Sequence, residues 1–441
     1  MSIAAPITSQ TVAAPRPRGD ADATAIEGEV AWLSDLQRAR IEGPKLKPRS
    51  SRGWGLATQA VHAGAYEEPA TGAVGTPIFQ ASTFRLGVDQ YRAFDQGHGR
   101  DRFIYTRYGN PSQWAVQEKI AALEGAQSAL VFSSGMAAIS SAITALSDAG
   151  GHIVASNELY GGTYALFNGD LPSLGRRVSF VDPTDLAAIE AAILPETQIL
   201  FFEAVTNPLL KVADIPKIAE IARRRGCRSI IDATFATPVG VRPLDHGADV
   251  VVHSATKYLN GHSDLVAGVA AGERKLIDQI WARMLTLGGC LDPHACFLLE
   301  RGLKTLALRM RAHEDGATKV ARHLEAHASV RRVFYPGLES HPNHELARSL
   351  FANMGGMVSF EVVGGDEAAL RLADLVTLPC QATSLGGVES LISLPFNTSQ
   401  AGYTARQRAG LGIHPGLVRL SVGIEDPDDL IADFDAALAA M

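Results

Sequence analysis

Three short stretches of this sequence carry side chains whose types and placement could do chemistry together. Ser134-Gly135-Met136 follows the apolar run Ala129-Leu130-Val131-Phe132 and opens an Ala-rich stretch. Small residues at a helix start leave backbone N–H groups free to hold an anion such as phosphate. Asp232 follows Ile230-Ile231, where a carboxylate can either cap the next turn or face a protonated ring nitrogen. Lys257 comes shortly after Val250-Val251-Val252, between Ser254, Thr256 and Tyr258. A lysine so close to a buried strand loses hydration, which lowers its pKa and favours Schiff-base chemistry.

Each stretch alone has a plain structural reading: a Ser-Gly cap, an Asp turn, a solvated lysine. Their order on successive strand ends says more. A phosphate needs N–H donors, a pyridinium nitrogen needs a carboxylate, and an aldehyde needs an amine. That set is what pyridoxal 5'-phosphate (PLP) requires of a protein.

The elements that must position these groups are legible as a pattern. From about residue 110, helical stretches alternate with short apolar runs: 129–132, 152–155, 177–181, 199–202, 229–231 and 250–252. The runs lack proline and are apolar on both faces, as parallel strands covered by helices are. Such alternation makes an α/β domain, with ligands at the carboxyl ends of the strands. After about residue 308 the pattern changes. A helix is expected at about 309–326, then strands at 330–334, 357–362 and 417–422, the last two alternating as half-buried strands do.

The expected segments are therefore an N-terminal extension (1–53), an arm (54–109), a cofactor-binding domain (110–308) and a C-terminal α+β domain (309–441). Residues 1–25 are rich in Ala, Pro, Thr and Ser and should be loosely attached. Ile26, Val30 and Leu33 predict a short helix over about 26–41, and Lys45, Lys47, Arg49 and Arg52 form a small basic linker.

Composition narrows the function classes. The chain has 441 residues, with 40 Lys plus Arg against 47 Asp plus Glu, for a net charge of −7. That balance argues against a broad nucleic-acid surface. No run is long and apolar enough for a membrane helix, and the N-terminus lacks the basic-then-apolar pattern of a secretory signal. Arg16 and Arg18 give a faint echo of a transit peptide, but acids follow from Asp20. A cytoplasmic enzyme is expected. The four cysteines form no CxxC pair and read as buried thiols, and the sequon Asn397-Thr398-Ser399 reads as incidental. His341 and His344 read as a surface turn around Pro342, so no metal site is expected.

From about Thr58 to the C-terminus the chain resembles the Cys/Met-metabolism family of PLP enzymes, which includes cystathionine γ-synthase, cystathionine γ-lyase, methionine γ-lyase and O-acetylhomoserine sulfhydrylase. The resemblance rests on Thr58-Gln59-Ala60-Val61-His62-Ala63-Gly64, Tyr105-Thr106-Arg107-Tyr108-Gly109-Asn110-Pro111 and Leu159-Tyr160-Gly161-Gly162-Thr163. It continues in Glu203 with Asn207-Pro208, Ser254-Ala255-Thr256-Lys257-Tyr258, Tyr335-Pro336-Gly337-Leu338, Ser384-Leu385-Gly386-Gly387 and Val418-Arg419-Leu420-Ser421.

The resemblance implies an α/β architecture of PLP fold type I (aspartate-aminotransferase-like): a large domain on a mainly parallel sheet, a smaller α+β C-terminal domain and an N-terminal arm. It also implies roles. Lys257 would carry the cofactor as a Schiff base and later shuttle protons. Asp232 would pair with the ring nitrogen, and Tyr160 would stack on the ring and act on the leaving group. Ser134, Gly135, Met136, Ser254 and Thr256 would hold the phosphate, with Glu203, Asn207 and Thr234 beside the cofactor. Tyr105 and Arg107 would reach the phosphate of a neighbouring subunit, in a homotetramer built as a dimer of dimers with shared sites. Arg419 would grip the substrate carboxylate, with Asn207, Thr383, Ser384 and Tyr105 nearby.

The implied reaction is γ-elimination or γ-replacement on a small amino acid: a homoserine ester, methionine, cystathionine or a relative of these. A β-eliminating C–S lyase is the alternative. Three positions depart from the family pattern. Ala233 stands where Asn often follows the Asp, Gly162 where methionine γ-lyases usually carry Cys, and Thr383 where cystathionine enzymes usually carry Glu. These departures weaken methionine and cystathionine as substrates and leave other γ-substituted amino acids open. A Ser-x-x-Lys acyl transferase would read Ser254 and Lys257 differently, but its Ser-Asp-Asn and Lys-Thr-Gly partners are missing. A non-catalytic scaffold would not need Lys257, Asp232, Tyr160 and Arg419 together.

Overall fold

The structure is a computed structural model that describes residues 46, 47, 49, 53–96 and 99–441. The helix expected at about 26–41, and most of the extension and its basic linker, lie outside the described residues.

A seven-stranded sheet forms the larger half. Its strands are β1 (Ser128–Phe132), β2 (His152–Ser156), β3 (Arg177–Val181), β4 (Thr197–Glu203), β5 (Arg228–Asp232), β6 (Val250–Ser254) and β7 (Gly268–Gly272), in the order β1-β7-β6-β5-β4-β2-β3. The run β3-β2-β4-β5-β6 is parallel throughout. β7 runs antiparallel to both β6 and β1. The sequence reading anticipated six of these strands and missed β7. Its residues are Gly-Val-Ala-Ala-Gly, and glycine and alanine carry little strand propensity.

The apolar runs alternate between two faces, as a period of two requires. Leu130, Ile153, Ile199, Phe201, Ile230 and Val252 pack on one side with helices α3 (Gly135–Leu146) and α5 (Arg274–Leu287). Val131, Val154, Leu200, Phe202, Ile231 and Val251 enter the opposite core, which includes α1 (Leu56–His62), α2 (Pro111–Glu124), α4 (Ile215–Arg225) and α6 (Pro293–Leu303). Burial on both faces explains why these strands lack polar alternation.

A second sheet of five strands follows the helix α7 (Leu306–Ala326), which starts three residues before its expected position. The strands are β8 (Val330–Phe334), β9 (Met357–Val362), β10 (Cys380–Gln381), β11 (Leu391–Ser393) and β12 (Leu417–Ser421), ordered β10-β11-β12-β9-β8. Only the β10–β11 pair is parallel. Helices α8 (Gly365–Leu375) and α9 (Pro427–Ala439) cover this sheet through Leu372, Leu430 and Phe434.

Two details differ from expectation. Cys227 and Cys296 are buried, but Cys290 is intermediate and Cys380 is exposed on the short strand β10. His341 is buried rather than on a surface turn, and its Nδ1 accepts the Asn343 N–H at 3.1 Å. A neighbouring-turn hydrogen bond lets an imidazole sit inside at little cost. Among the described residues, no helix is long and apolar enough to cross a membrane, and no cluster of three or more His, Cys, Asp or Glu could hold a metal.

Candidate active site

The carboxyl ends of β1, β4, β5 and β6 open on one cavity of about 550 Å³. Ser134, Gly135, Met136, Tyr160, Glu203, Asn207, Asp232, Thr234, Ser254, Thr256, Lys257, Thr383, Ser384 and Arg419 all line it. Tyr105 and Arg107 do not; Arg107 donates to the Leu285 carbonyl at 2.6 Å, and Tyr105 is 43% exposed.

One wall is the start of α3. Ser134 caps it by accepting the Ala137 N–H at 3.0 Å, and Gly135 and Met136, whose N–H groups come before that one in the first turn, line the cavity. Gly135 is required here for space. A Cβ on it would lie 2.8 Å from the Cβ of Ser254, so helix start and β6 end close on each other. Thr256 is tied to Ala267, donating to its carbonyl at 3.2 Å and accepting its N–H at 3.0 Å.

The floor holds two buried carboxyls. Glu203 and Asp232 end adjacent parallel strands and are register partners, about 4.8 Å apart along the hydrogen-bonding direction. Thr234 gives Asp232 Oδ1 both its N–H (2.9 Å) and its hydroxyl (2.5 Å). The Thr234 hydroxyl in turn accepts the Ser254 N–H at 2.8 Å, which links β5 to β6. Glu203 Oε1 accepts the Tyr160 N–H at 2.7 Å. Burial raises the pKa of both acids, and Asp232 pushes Glu203 further up. Two close carboxylates away from water cannot both ionise cheaply. The donors from Thr234 favour charge on Asp232, while burial and Asp232 together push Glu203 the further up, against the N–H donors of Tyr160 and Asn207.

Lys257 points across the cavity toward the second sheet. Its Nζ donates to Ser384 Oγ at 2.6 Å. Burial, then the nearby Arg419, lowers its pKa from 10.5 to about 8. Arg419 lies on β12, donates to Asn207 Oδ1 at 3.1 Å and to the Ser384 carbonyl at 3.0 Å, and is itself lowered to about 10 by burial. Ser384 joins the two cations from a backbone φ of 95°, a region that non-glycine residues rarely occupy. The Tyr160 ring stands half exposed, and a Cβ on Gly162 would lie 2.7 Å from its Cε1. The glycine at this departure from the family pattern therefore makes room for the ring.

The depressed amine has a direct consequence. Cofactor-free protein is expected to capture added PLP faster as the pH rises from about 7, with the rate levelling above about pH 8.5, because the neutral amine is the nucleophile. Stopped-flow absorbance measures this. A rate still climbing about ten-fold per pH unit at pH 9.5 would mean that Lys257 titrates like an exposed lysine.

Some lining residues escaped the sequence reading. Ile139, Val205, Phe235, Val266 and Leu385 join the wall, as do Asn397, Thr398 and Ser399. The last three are the sequon, which forms part of the cavity wall rather than being incidental. They belong to a strap that runs from β11 toward β12 across the cavity rim. A Cβ on Gly161 would lie 2.6 Å from the Ser399 carbonyl oxygen, Gln400 donates to the Asn207 carbonyl at 3.2 Å, and Tyr403 packs on Tyr164 at 4.5 Å between centroids. The only local sign of this close approach is the glycine pair Gly161-Gly162.

The donor set fits PLP: N–H groups for the phosphate, a buried carboxylate for the ring nitrogen and a deprotonatable amine for the aldehyde. A parallel sheet with these groups at its carboxyl edge defines a PLP-dependent α/β enzyme.

Comparison with known proteins agrees. The family model for Cys/Met metabolism PLP-dependent enzymes matches residues 57–439. L-methionine gamma-lyase of Porphyromonas gingivalis is 43% identical over 391 residues, covering 88% of this chain and 98% of that protein. Cystathionine beta-lyase of Lactococcus lactis subsp. cremoris is 42% identical, over 87% of this chain and 98% of that protein. A crystal structure of cystathionine gamma-lyase from Lactobacillus plantarum complexed with L-serine superposes with a TM-score of 0.82 at 39% identity, over 88% and 99% of the two chains. The protein belongs to the Cys/Met metabolism family of PLP-dependent enzymes.

Proposed function

We propose that this enzyme is a carbon–sulfur or carbon–oxygen lyase that removes the γ-substituent of a small amino acid. The observation that carries the reading is the chain of contacts Lys257–Ser384–Arg419, which sets the reactive amine and a carboxylate-binding guanidinium on one cavity. Arg419 and Asn207 hold the substrate carboxylate, which fixes the α-carbon within reach of Lys257 Nζ. When bound, PLP supplies an electron sink for charge developing at that carbon. Asp232 keeps the ring nitrogen protonated. Lys257 takes the α-proton and moves protons at the neighbouring carbons, and the Tyr160 hydroxyl gives one to the departing γ-group. With one water consumed, the products are a thiol or hydroxyl compound, a 2-oxo acid and ammonia.

The segments carry these roles as an arm (54–109), a cofactor-binding domain (110–308) and a C-terminal domain (309–441). Tyr105 and Arg107 serve the site of a second subunit in a cytoplasmic homotetramer. The exposed arm side chains Val74, Val88, Tyr91 and Tyr105 support that assembly. Capture of the unsaturated product by a thiol would make the enzyme a transferase. β-Elimination is the second reading, favoured by the similarity to a protein named cystathionine beta-lyase.

Incubation of the holoenzyme with methionine, cystathionine, O-acetylhomoserine and O-succinylhomoserine, with and without added thiol, tests the reading. 2-Oxobutyrate without thiol is expected. Pyruvate from cystathionine would replace γ- by β-elimination, and a thioether formed only with thiol would replace elimination by transfer.

A further inference from the structure

Two loops of the cavity wall are held from behind as well as from within. On the cavity side, Glu203 accepts the N–H groups of both Tyr160 and Asn207. A second buried carboxyl, away from the cavity, grips the same two loops. Glu158 lies two residues before Tyr160 and is 2% exposed. Its Oε2 accepts the hydroxyl of Thr206 at 3.1 Å, and Thr206 immediately precedes Asn207. Its Oε1 is salt-bridged to Lys211, whose Nζ also donates to Asp182 Oδ2 at 3.0 Å. Thr206 and Lys211 close their own turn, the Thr206 N–H donating to the Lys211 carbonyl at 2.9 Å and the Thr206 hydroxyl accepting the Lys211 N–H at 3.1 Å. Glu158, Asp182 and Thr206 follow β2, β3 and β4, which stand side by side as β3-β2-β4. One carboxylate and one ammonium group thus tie the carboxyl ends of three adjacent strands.

This tie is costly. Burial pushes the Glu158 carboxyl up, against the pull of Lys211 and Thr206, and Glu158 adds to the forces that push Glu203 up. A buried ion pair seldom repays its desolvation, and apolar side chains of similar size would hold the loops together at lower cost. The ion pair supplies direction instead, because a carboxylate with both oxygens engaged fixes how the two loops meet. One of those loops presents Asn207 Oδ1 to Arg419 at 3.1 Å. Asp232 and Lys257 come from the ends of β5 and β6, which the tie does not join.

Resting on the reading of Arg419 and Asn207 as holders of the substrate carboxylate, we infer that Glu158, clamped by Lys211 and Thr206, is a positioning residue for substrate binding. It sets Asn207 against Arg419 and so governs affinity for the carboxylate without touching the substrate.

The test uses holoenzyme and two small probes, each read by the change in cofactor absorbance on binding. Glycine carries an amine and a carboxylate; methylamine carries the amine alone. Glu158→Ala should weaken glycine by about ten-fold and methylamine by less than about two-fold, since a misplaced binding group costs only the ligand that uses it. KM for the best substrate should rise about ten-fold with kcat held within about three-fold. Thr206→Val, which leaves the Lys211–Glu158 pair in place, should move the glycine-to-methylamine ratio the same way by about three-fold, and Thr206→Ser, which keeps the hydroxyl, should restore it. If Glu158→Ala fails to retain cofactor, the Thr206 pair decides alone. Arg419→Lys is the reference and should weaken glycine selectively. If it does, while the Glu158 and Thr206 variants leave the ratio unchanged or weaken both probes equally, the inference is overturned and the carboxylate reading stands. If Arg419→Lys leaves the ratio unchanged, both are overturned.

Discussion

Lys257→Ala should lower turnover by on the order of 10⁴-fold or more, the scale on which a sole nucleophile and proton carrier is missed. Among the cavity side chains, Lys257 is the amine, and its lowered pKa of about 8 makes a neutral fraction available near neutrality. The variant should still fold and still bind PLP reversibly, because the α3 start, Asp232 and Thr234 are untouched. Borohydride reduction followed by peptide mass analysis reads the covalent part: the unaltered enzyme should retain the cofactor on the peptide that contains residue 257, and the variant should retain none. Small primary amines added to the variant should restore part of the turnover by carrying protons in the vacated space. Turnover within ten-fold of the unaltered enzyme would defeat the proposed mechanism.

Asp232→Asn and Glu203→Gln make a matched pair with opposite expectations. Both replace a buried carboxyl by an amide of nearly the same shape on neighbouring strand ends. At Asp232 the change removes a buried charge that Thr234 is arranged to support, and kcat should fall by roughly 10²- to 10³-fold. At Glu203 burial and the neighbouring Asp232 already disfavour the charged form, and the amide oxygen can still accept the Tyr160 N–H, so kcat should change by no more than about five-fold. Steady-state kcat at saturating substrate, on samples matched for cofactor content, decides between them. Equal losses at the two positions would show that the negative charge is not confined to Asp232.

The sheet was readable because its strands are short, apolar on both faces and separated by helices, and because chemistry in such sheets gathers at strand ends. That logic puts Gly135, Asp232 and Lys257 on successive strand ends, and the fold gathers them around one cavity. It could not place the other half of the site. Arg419 is one alternating position among several in β12, and Ser384 follows no strand of the larger sheet. Only their packing against Lys257 and Asn207 brings them in. β7 escaped because its glycines and alanines are chosen for close approach rather than for strand propensity. Gly268 has the Ser134 carbonyl 2.0 Å from where its Cβ would lie. The strap at Asn397–Ser399 was passed over for a related reason, since its importance comes from a contact with Gly161, far away in sequence.

Lys257 lies in the turn just after β6 of the larger sheet, whereas Arg419 lies on β12 of the smaller sheet and Ser384 in the connection between its strands β10 and β11. Any molecule that satisfies the amine and the guanidinium together thereby braces the edges of the two sheets against each other. Its binding energy is shared by the whole body: at a hundred-fold excess over its dissociation constant it would add about 2.7 kcal/mol against unfolding.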